Sequence, residues 1–385
     1  MGSGVLRYLL GVSRVGEMRE GGGVASRSRA ILAIVTAVVA ACGPAVTPIP
    51  SETQASPPPL VTVGPAPTDV PSPSPSPDLS GLVPADLDGV LTTPALAHRL
   101  PLFVSIDDAR AARPQSGFNA TSVVWQVPVD GYESRYLMAF QELDASAIGP
   151  VRSARLFLAH WAAEAHGALA HYGGDRITRA WMADNRRTVF TDVDGLGAGN
   201  AAYHRISSRD APHNAYTSSA DLRRVALKLG ADRLIDGSVH LRPFRDDVSV
   251  AERGSVQQIR IPYNTETIRS GFDAASDSYK RFIGSNPQID SMDGQQVTAR
   301  TVVVLFMPFH TDSTIEPGHN RPVLGFIGSG VAWIFSEGTL VKGRWSKARE
   351  GDPTLILGPD GQELAFVRGR IFMQVVPTGT SVVRD

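Results

Sequence analysis

Apolar positions begin to recur near Leu91, and from there the chain reads as short hydrophobic runs separated by loops. Three early runs fit strands: 100–106, closing on Asp107-Asp108, then 122–127 and 135–140. The last two are joined through Val129-Asp130-Gly131-Tyr132-Glu133. Residues 156–169 are rich in alanine and predict a helix carrying His160, Trp161 and His166. A short strand over 168–172 then meets Gly173-Gly174-Asp175. Ser218 with Asp221 forms a capping pattern for a helix over 219–229 that stops at Gly230. From about Ser238 strands dominate, at 256–262, 295–306, 323–327, 331–335, 354–357 and 371–376. The turn pairs Asp293-Gly294, Glu337-Gly338 and Asp360-Gly361 lie between them, as hairpins require. The pattern predicts an α+β protein, with a mixed α/β N-terminal domain over 91–240 and a mostly β C-terminal domain over 241–385.

The first ninety residues have a different character. Arg27 and Arg29 precede an apolar, small-residue stretch from Ala30 to Ala41 broken only by Thr36, and Val39-Ala40-Ala41-Cys42-Gly43 follows. The stretch, about 12 residues, is too short for a hydrocarbon core of roughly 30 Å and suits a signal peptide. Its end resembles a bacterial lipobox, in which the cysteine is diacylated and becomes the new N-terminus. Residues 1–42 are therefore expected to be a lipoprotein signal, with Cys42 lipidated and Met18 as an alternative start. A plain secretory signal with a chance cysteine is the competing reading. Leu6 stands where a myristoyl signal needs Ser or Thr. Cys42 is the chain's single cysteine, so a lipidated protein has no disulfide and no thiol nucleophile.

Residues 43–90 are expected to be a tether. They open with Pro, Ser, Thr and Ala and almost no charge, and include Pro71-Ser-Pro-Ser-Pro-Ser-Pro77. Such composition buries too little apolar surface to fold, and closely spaced prolines favour extended chain. A polyproline ligand for a partner is the other reading. Lys and Arg total 37 against 38 Asp and Glu, so the chain lacks the basic field of a nucleic-acid binder. The expected location is extracytoplasmic, with the protein anchored to the cell membrane by lipid.

Candidate chemistry centres on Gly149-Pro-Val-Arg152-Ser-Ala-Arg155, which sits directly before the predicted helix. Unpaired N–H groups and the dipole at a helix start favour an anion. Arginine forks bind phosphate or carboxylate bidentately. Arg113, Arg135 and Arg205 join Arg152 and Arg155 as candidates, with Asp175 beside them and Asp107 and Asp108 as possible ligands of a divalent cation. The alternative is a structural network in which the arginines pair with Asp107, Asp108 or Glu133. His213-Asn214 lies in a loop before a helix and His171 beside a glycine pair, so these three can orient a ligand or simply tie down backbone. His160 and His166 stand six apart, about 120° from a common helix face, and do not form a zinc pair. Gly197-Ala-Gly199-Asn-Ala-Ala202 follows Asp192-Val-Asp194-Gly195 rather than a hydrophobic strand, so it is no dinucleotide fingerprint. No nucleophile elbow or P-loop occurs.

Four motifs in order carry a family resemblance: Arg113-Pro-Gln-Ser-Gly117, Gly149–Arg155, His171-Tyr-Gly-Gly174 and Ala211-Pro-His-Asn214. With Gly325-Phe-Ile-Gly-Ser-Gly330, Trp345, Gly361 and Val375-Val-Pro377, the chain over 98–378 resembles the YerB-type bacterial lipoproteins. The resemblance implies an envelope lipoprotein of two conserved halves and lends no reaction. A weaker similarity links Asp107, the arginines and His171-Tyr-Gly-Gly174 to LytR-CpsA-Psr phosphotransferases. These act on polyprenyl-pyrophosphate-linked glycopolymers with a divalent cation. Here Arg113 is followed by Pro and Arg152 by Ser, where that family pairs Arg with Asp. The expected function is binding of an anionic, phosphate-containing cell-wall or lipid-linked ligand through the arginines, with no cofactor. A metal-dependent phosphotransferase and a structural assembly factor are the alternatives.

Overall fold

In the strands at the centre of the molecule, odd and even positions both point into packed interior. The computed structural model describes residues 79–385 except Arg187, Arg233, Asp236, Asn264, Thr265 and the side chain of Tyr132. The expected signal, Cys42 and the expected tether as far as residue 78 lie outside the described residues, whereas the end of that expected tether is folded, with Ala85, Asp86 and Asp88 buried.

Ten strands form one sheet. In chain order they are β1 Leu102–Asp107, β2 Val123–Pro128, β3 Ser134–Phe140, β4 Ala168–His171 and β5 Thr191–Asp194. The rest are β6 Thr301–Met307, β7 Gly328–Ser336, β8 Thr339–Lys347, β9 Leu355–Leu357 and β10 Ile371–Pro377. Across the sheet they lie β9-β8-β7-β6-β10-β2-β3-β1-β4-β5. Strands β6, β10 and β2 run parallel, as do β1, β4 and β5, while the remaining neighbours are antiparallel. Leu102, Val104, Ile106, Val302, Val304 and Phe372 enter one apolar layer. Phe103, Val303, Leu305, Ile371, Met373 and Val375 enter the other. Period-two alternation of apolar residues on both faces gives the unbroken hydrophobic runs of a doubly covered sheet.

One face is covered by helix α1, Leu156–Glu164, whose Phe157, Leu158 and Trp161 are buried. Helix α2, Arg176–Asn185, contributes Met182 to the same layer. The other face holds helix α3, Ser219–Lys228, through Leu222, Val225 and Ala226. It also holds a second sheet built mainly from Gln258–Pro262, Thr267–Asp273 and Ser278–Ile283. The mixed first part and the mostly β remainder make this an α+β fold. The change of composition near Ser238 does not separate two main sheets: β10 pairs with β2 from Ile371↔Val123 to Gln374↔Gln126.

Three local expectations shift. The helix expected over 156–169 ends at Glu164, because His166 adopts φ 47° and the chain turns into β4. Gly167 permits that turn, since a Cβ there would lie 2.6 Å from the Phe103 ring. The strand expected over 295–306 divides at Arg300: Thr298–Ala299 pairs in the second sheet, and β6 enters the main one. The run expected over 323–327 is observed as His319–Leu324, paired with Phe309–Glu316 in a two-stranded ribbon.

Candidate functional site

Three adjacent parallel strands, β1, β4 and β5, close on Asp107, His171 and Asp194, with β1 running two residues past the level of the other two. Carboxyl ends of parallel strands are where α/β sheets place ligands. The Gly-Pro-Val-Arg-Ser-Ala-Arg segment crosses this edge as extended chain. It is held by Asp107 N–H donating to Pro150 O at 2.9 Å and Arg152 N–H to Ser105 O at 2.8 Å. On its far side Tyr172 N–H donates to Arg152 O at 3.0 Å and Ala154 N–H to Gly173 O at 2.9 Å. Gly149 is required because a Cβ there would meet the Tyr216 ring at 2.7 Å.

Asp107 organises the exposed part of the edge. Its carboxylate is buried, and Oδ2 lies 2.7 Å from His213 Nδ1 and 3.1 Å from Arg152 Nε. Oδ1 accepts from Ala109 N–H at 3.1 Å. Arg152 Nε is close enough for an ion pair but is not aligned to donate a hydrogen bond. The side chains of Arg152 and His213 remain 27% and 22% exposed. One buried carboxylate thus orients an arginine and a histidine that both reach solvent.

Behind them the arginines turn inward. Arg135 sits opposite Asp107 in the β1–β3 register and donates through Nη1 to Ser153 O at 2.7 Å. Burial pushes its guanidinium down to about 9, and the neighbouring charges of Arg155 and Arg152 push the same way. Arg155, the N-cap residue of α1, is buried with its Nε donating to Asp130 Oδ2 at 2.7 Å and Nη1 to Ala154 O at 2.7 Å. Asp130 also accepts from Arg321 Nη1 at 2.7 Å. Burial would raise the Asp130 carboxyl, but Arg155 and Arg321 hold it below the usual carboxylate range.

The other candidates divide. His171 is buried, with Nδ1 2.8 Å from Gly173 O and Nε2 2.8 Å from Asp192 Oδ1. Asp175 caps α2, accepting from Thr178 N–H at 2.9 Å and Thr178 Oγ1 at 2.6 Å. Arg205 lies over the Tyr172 ring at 4.9 Å and donates to Asn214 Oδ1. Asn214 in turn donates to Ile206 O and Arg209 O, so it diverges from His213. Arg113 pairs with Asp108 and Glu266 away from the Asp107 group. It lines a separate cavity of about 570 Å³ with Arg110 and Gln288. Asp108 is engaged by Arg113, Gln126 and Ser134, and burial raises its carboxyl despite the Arg113 charge. Asp107 and Asp108 therefore face different partners rather than one cation position.

Residues 87–232 match the model described as "Protein of unknown function (DUF3048) N-terminal domain", and 259–373 match its C-terminal domain. The chain belongs to this family. All nine candidate ligand residues fall inside the N-terminal match. The chain is 22% identical over 311 residues to the "Putative lipoprotein YerB" of Bacillus subtilis (strain 168), covering 78% of this chain and 88% of that one. The crystal structure of YerB from Bacillus subtilis superposes with a TM-score of 0.69 at 22% identity, over 79% of this chain and 99% of that chain. The likeness fixes the fold, and the family brings no reaction with it.

Sequence reading did not single out Asp247, Asp277 and Glu337, whose carboxylate oxygens gather within 4.8 Å. Arg245, Arg253 and Arg300 pair with that group, and the three residues lie too far apart in sequence to signal it.

Proposed function

We propose that this protein is a membrane-anchored extracytoplasmic lipoprotein that binds an anionic, phosphate-bearing envelope ligand at Arg152 and His213. The lipobox-like Val39–Gly43 stretch, the proline-rich tether and the lipoprotein name of the Bacillus relative support the anchoring. Among the described residues no helix is long and apolar enough to cross a membrane.

The observation that carries the binding is the shared carboxylate. Asp107 takes one edge of Arg152 and accepts from Nδ1–H of His213, which leaves the Nη groups of the arginine as donors toward solvent and makes Nε2 of the imidazole a second donor in the imidazolium form. Buried Arg135 and Arg155 add positive charge from behind; the Arg135 guanidinium is depressed first by burial and then by the charges of Arg155 and Arg152, and an anion at Arg152 would offset the second contribution. Charge-assisted hydrogen bonds from arginine to phosphate are among the strongest a protein makes.

The test uses the full chain and its Arg152→Ala/His213→Ala variant, titrated calorimetrically with inorganic pyrophosphate and with a glycerol-phosphate polymer. Saturable binding by the wild type, weakened at least tenfold in a folded variant, is expected. Equal binding by both removes the proposal.

A further inference from the structure

The end of β1 opposite Asp107 carries a second cavity with a different chemistry. Leu100, Leu102, Ala226, Leu227 and Leu234 line about 380 Å³ between β1 and α3, within the size range of ligand sites. Leu227 and Leu234 are 36% and 53% exposed, so apolar surface reaches solvent at the cavity. A mostly apolar hollow with a few placed polar groups is the usual form of a small-molecule site.

The placed groups are Arg99 and Arg223. Arg223 donates through Nη1 to Leu100 O at 2.8 Å and through Nη2 to Gln141 O at 3.1 Å. Arg99 donates to the same Gln141 carbonyl and, through Nη1, to Asp144 Oδ2 at 3.1 Å. Main-chain oxygens thus fix both guanidinium groups beside the cavity. Asp144, 59% exposed, is the carboxylate they share, with Arg223 Nε 3.5 Å from its Oδ1. Asp232 lies exposed on the lining. Burial pushes the Arg223 guanidinium down to about 10, with Arg99's charge adding to the effect. Two cations are set against two solvated carboxylates, Asp144 beside them and Asp232 elsewhere on the lining, so the cationic edge of the apolar hollow is confined to the Arg99–Arg223 side.

We propose that this cavity binds an amphiphile with one apolar chain and an anionic head, the chain among the leucines and the head on Arg99 and Arg223. A neighbouring cavity of about 400 Å³ shares Leu100, Asp232 and Leu234, but its lining turns polar at His166, Arg186, Thr188 and Thr191, so the apolar chain is placed in the first hollow alone. The six residues of β1, about 20 Å of extended strand, separate this site from Asp107, so it stands independently of the anion site.

The experiment uses the full chain with Cys42→Ser, so that its own acyl groups do not compete, and dansyl-undecanoate as a fluorescent probe below its micellar concentration. The probe is expected to bind saturably. Dodecanoate and dodecyl phosphate should displace it, and dodecyltrimethylammonium should do so at least tenfold more weakly. Whichever anionic head displaces better identifies the natural head group. Ala226→Trp, which fills the hollow, is expected to abolish binding in a protein of unchanged circular dichroism. Equal displacement by the cationic amphiphile, no probe binding by the wild-type cavity, or full binding by a folded Ala226→Trp variant each overturns the proposal.

Discussion

Two arginines three residues apart in one motif are assigned different work, and their removal separates the assignments. Arg155 is 7% exposed and makes three hydrogen bonds, two to Asp130 and one to Ala154 O, with Asp175 Oδ2 a further 3.9 Å from its Nε. Breaking a buried pair from one side costs about 3–5 kcal/mol. Asp130 is 27% exposed and keeps Arg321, so Arg155→Ala is expected to lose about 2–3 kcal/mol. Arg152 is 27% exposed, its Nε is unaligned, and Asp107 retains His213 and the Ala109 N–H without it. Its removal also relieves Arg135 of one neighbouring charge. Arg152→Ala is therefore expected to change stability by less than about 1 kcal/mol. At about 2–4 °C per kcal/mol for a large domain, thermal unfolding should drop by roughly 4–12 °C for the first variant and under about 4 °C for the second. Differential scanning calorimetry with urea titration reads both. If Arg152→Ala falls as far as Arg155→Ala, Arg152 is an internal strut and the ligand reading of the motif fails.

Three further outcomes follow from the geometry. Asp88 is pushed up to about 8, first by burial and then by the charge of Glu142. The folded state therefore holds a proton that the unfolded state releases above about pH 4, and stability falls as pH rises from about 4 to about 8. Asp88→Asn should flatten that slope and exceed the wild type by at least about 2 kcal/mol at pH 8, with the difference shrinking toward pH 5; a parallel pair of stability–pH curves contradicts this. Lys347 is buried with Nζ donating to Glu164 Oε1 at 2.8 Å, so Lys347→Met should cost about 2–4 kcal/mol. Adding Glu164→Gln should recover part of the loss, and strictly additive losses in a double-mutant cycle would deny the coupling. A Cβ at Gly330 would lie 2.5 Å from Trp345 Nε1, which donates to Phe306 O at 2.9 Å. Gly330→Ala should cost about 1–3 kcal/mol and alter the near-ultraviolet dichroism of tryptophan, whereas an unchanged spectrum contradicts the packing.

Local signals read well where a local interaction builds the element. Ser218 accepts from Asp221 N–H and starts α3 at Ser219, as its capping pattern indicates. Glu337 and Gly338 both adopt positive φ and join β7 to β8 in the expected tight turn. The main sheet was not legible, because its halves meet through pairing of Val123 with Ile371, and no neighbouring residue announces so distant a partner. Helix α2 went unread for a related reason: Asp175, taken as a ligand candidate, is its N-cap. Spacing suggested one site for Arg152 and Arg155 and said nothing of direction, and the two side chains go to different carboxylates, Asp107 and Asp130. Burial of Arg155 follows from its place as the N-cap of α1 beside Asp130, whereas Arg152 lies three residues earlier on the strand edge. Arg99 and Arg223 escaped notice because only the fold places them on one carboxylate.

The central claim is that Arg152 and His213, set by one carboxylate, receive an anion together. Long-range ¹H–¹⁵N correlation of the histidine ring nitrogens during a phosphate titration tests it most directly. His213 Nε2 is expected to shift saturably in the wild type and to stay still in Arg152→Ala at the same phosphate concentrations. A His213 resonance that ignores phosphate, or one that titrates identically without Arg152, would contradict the account.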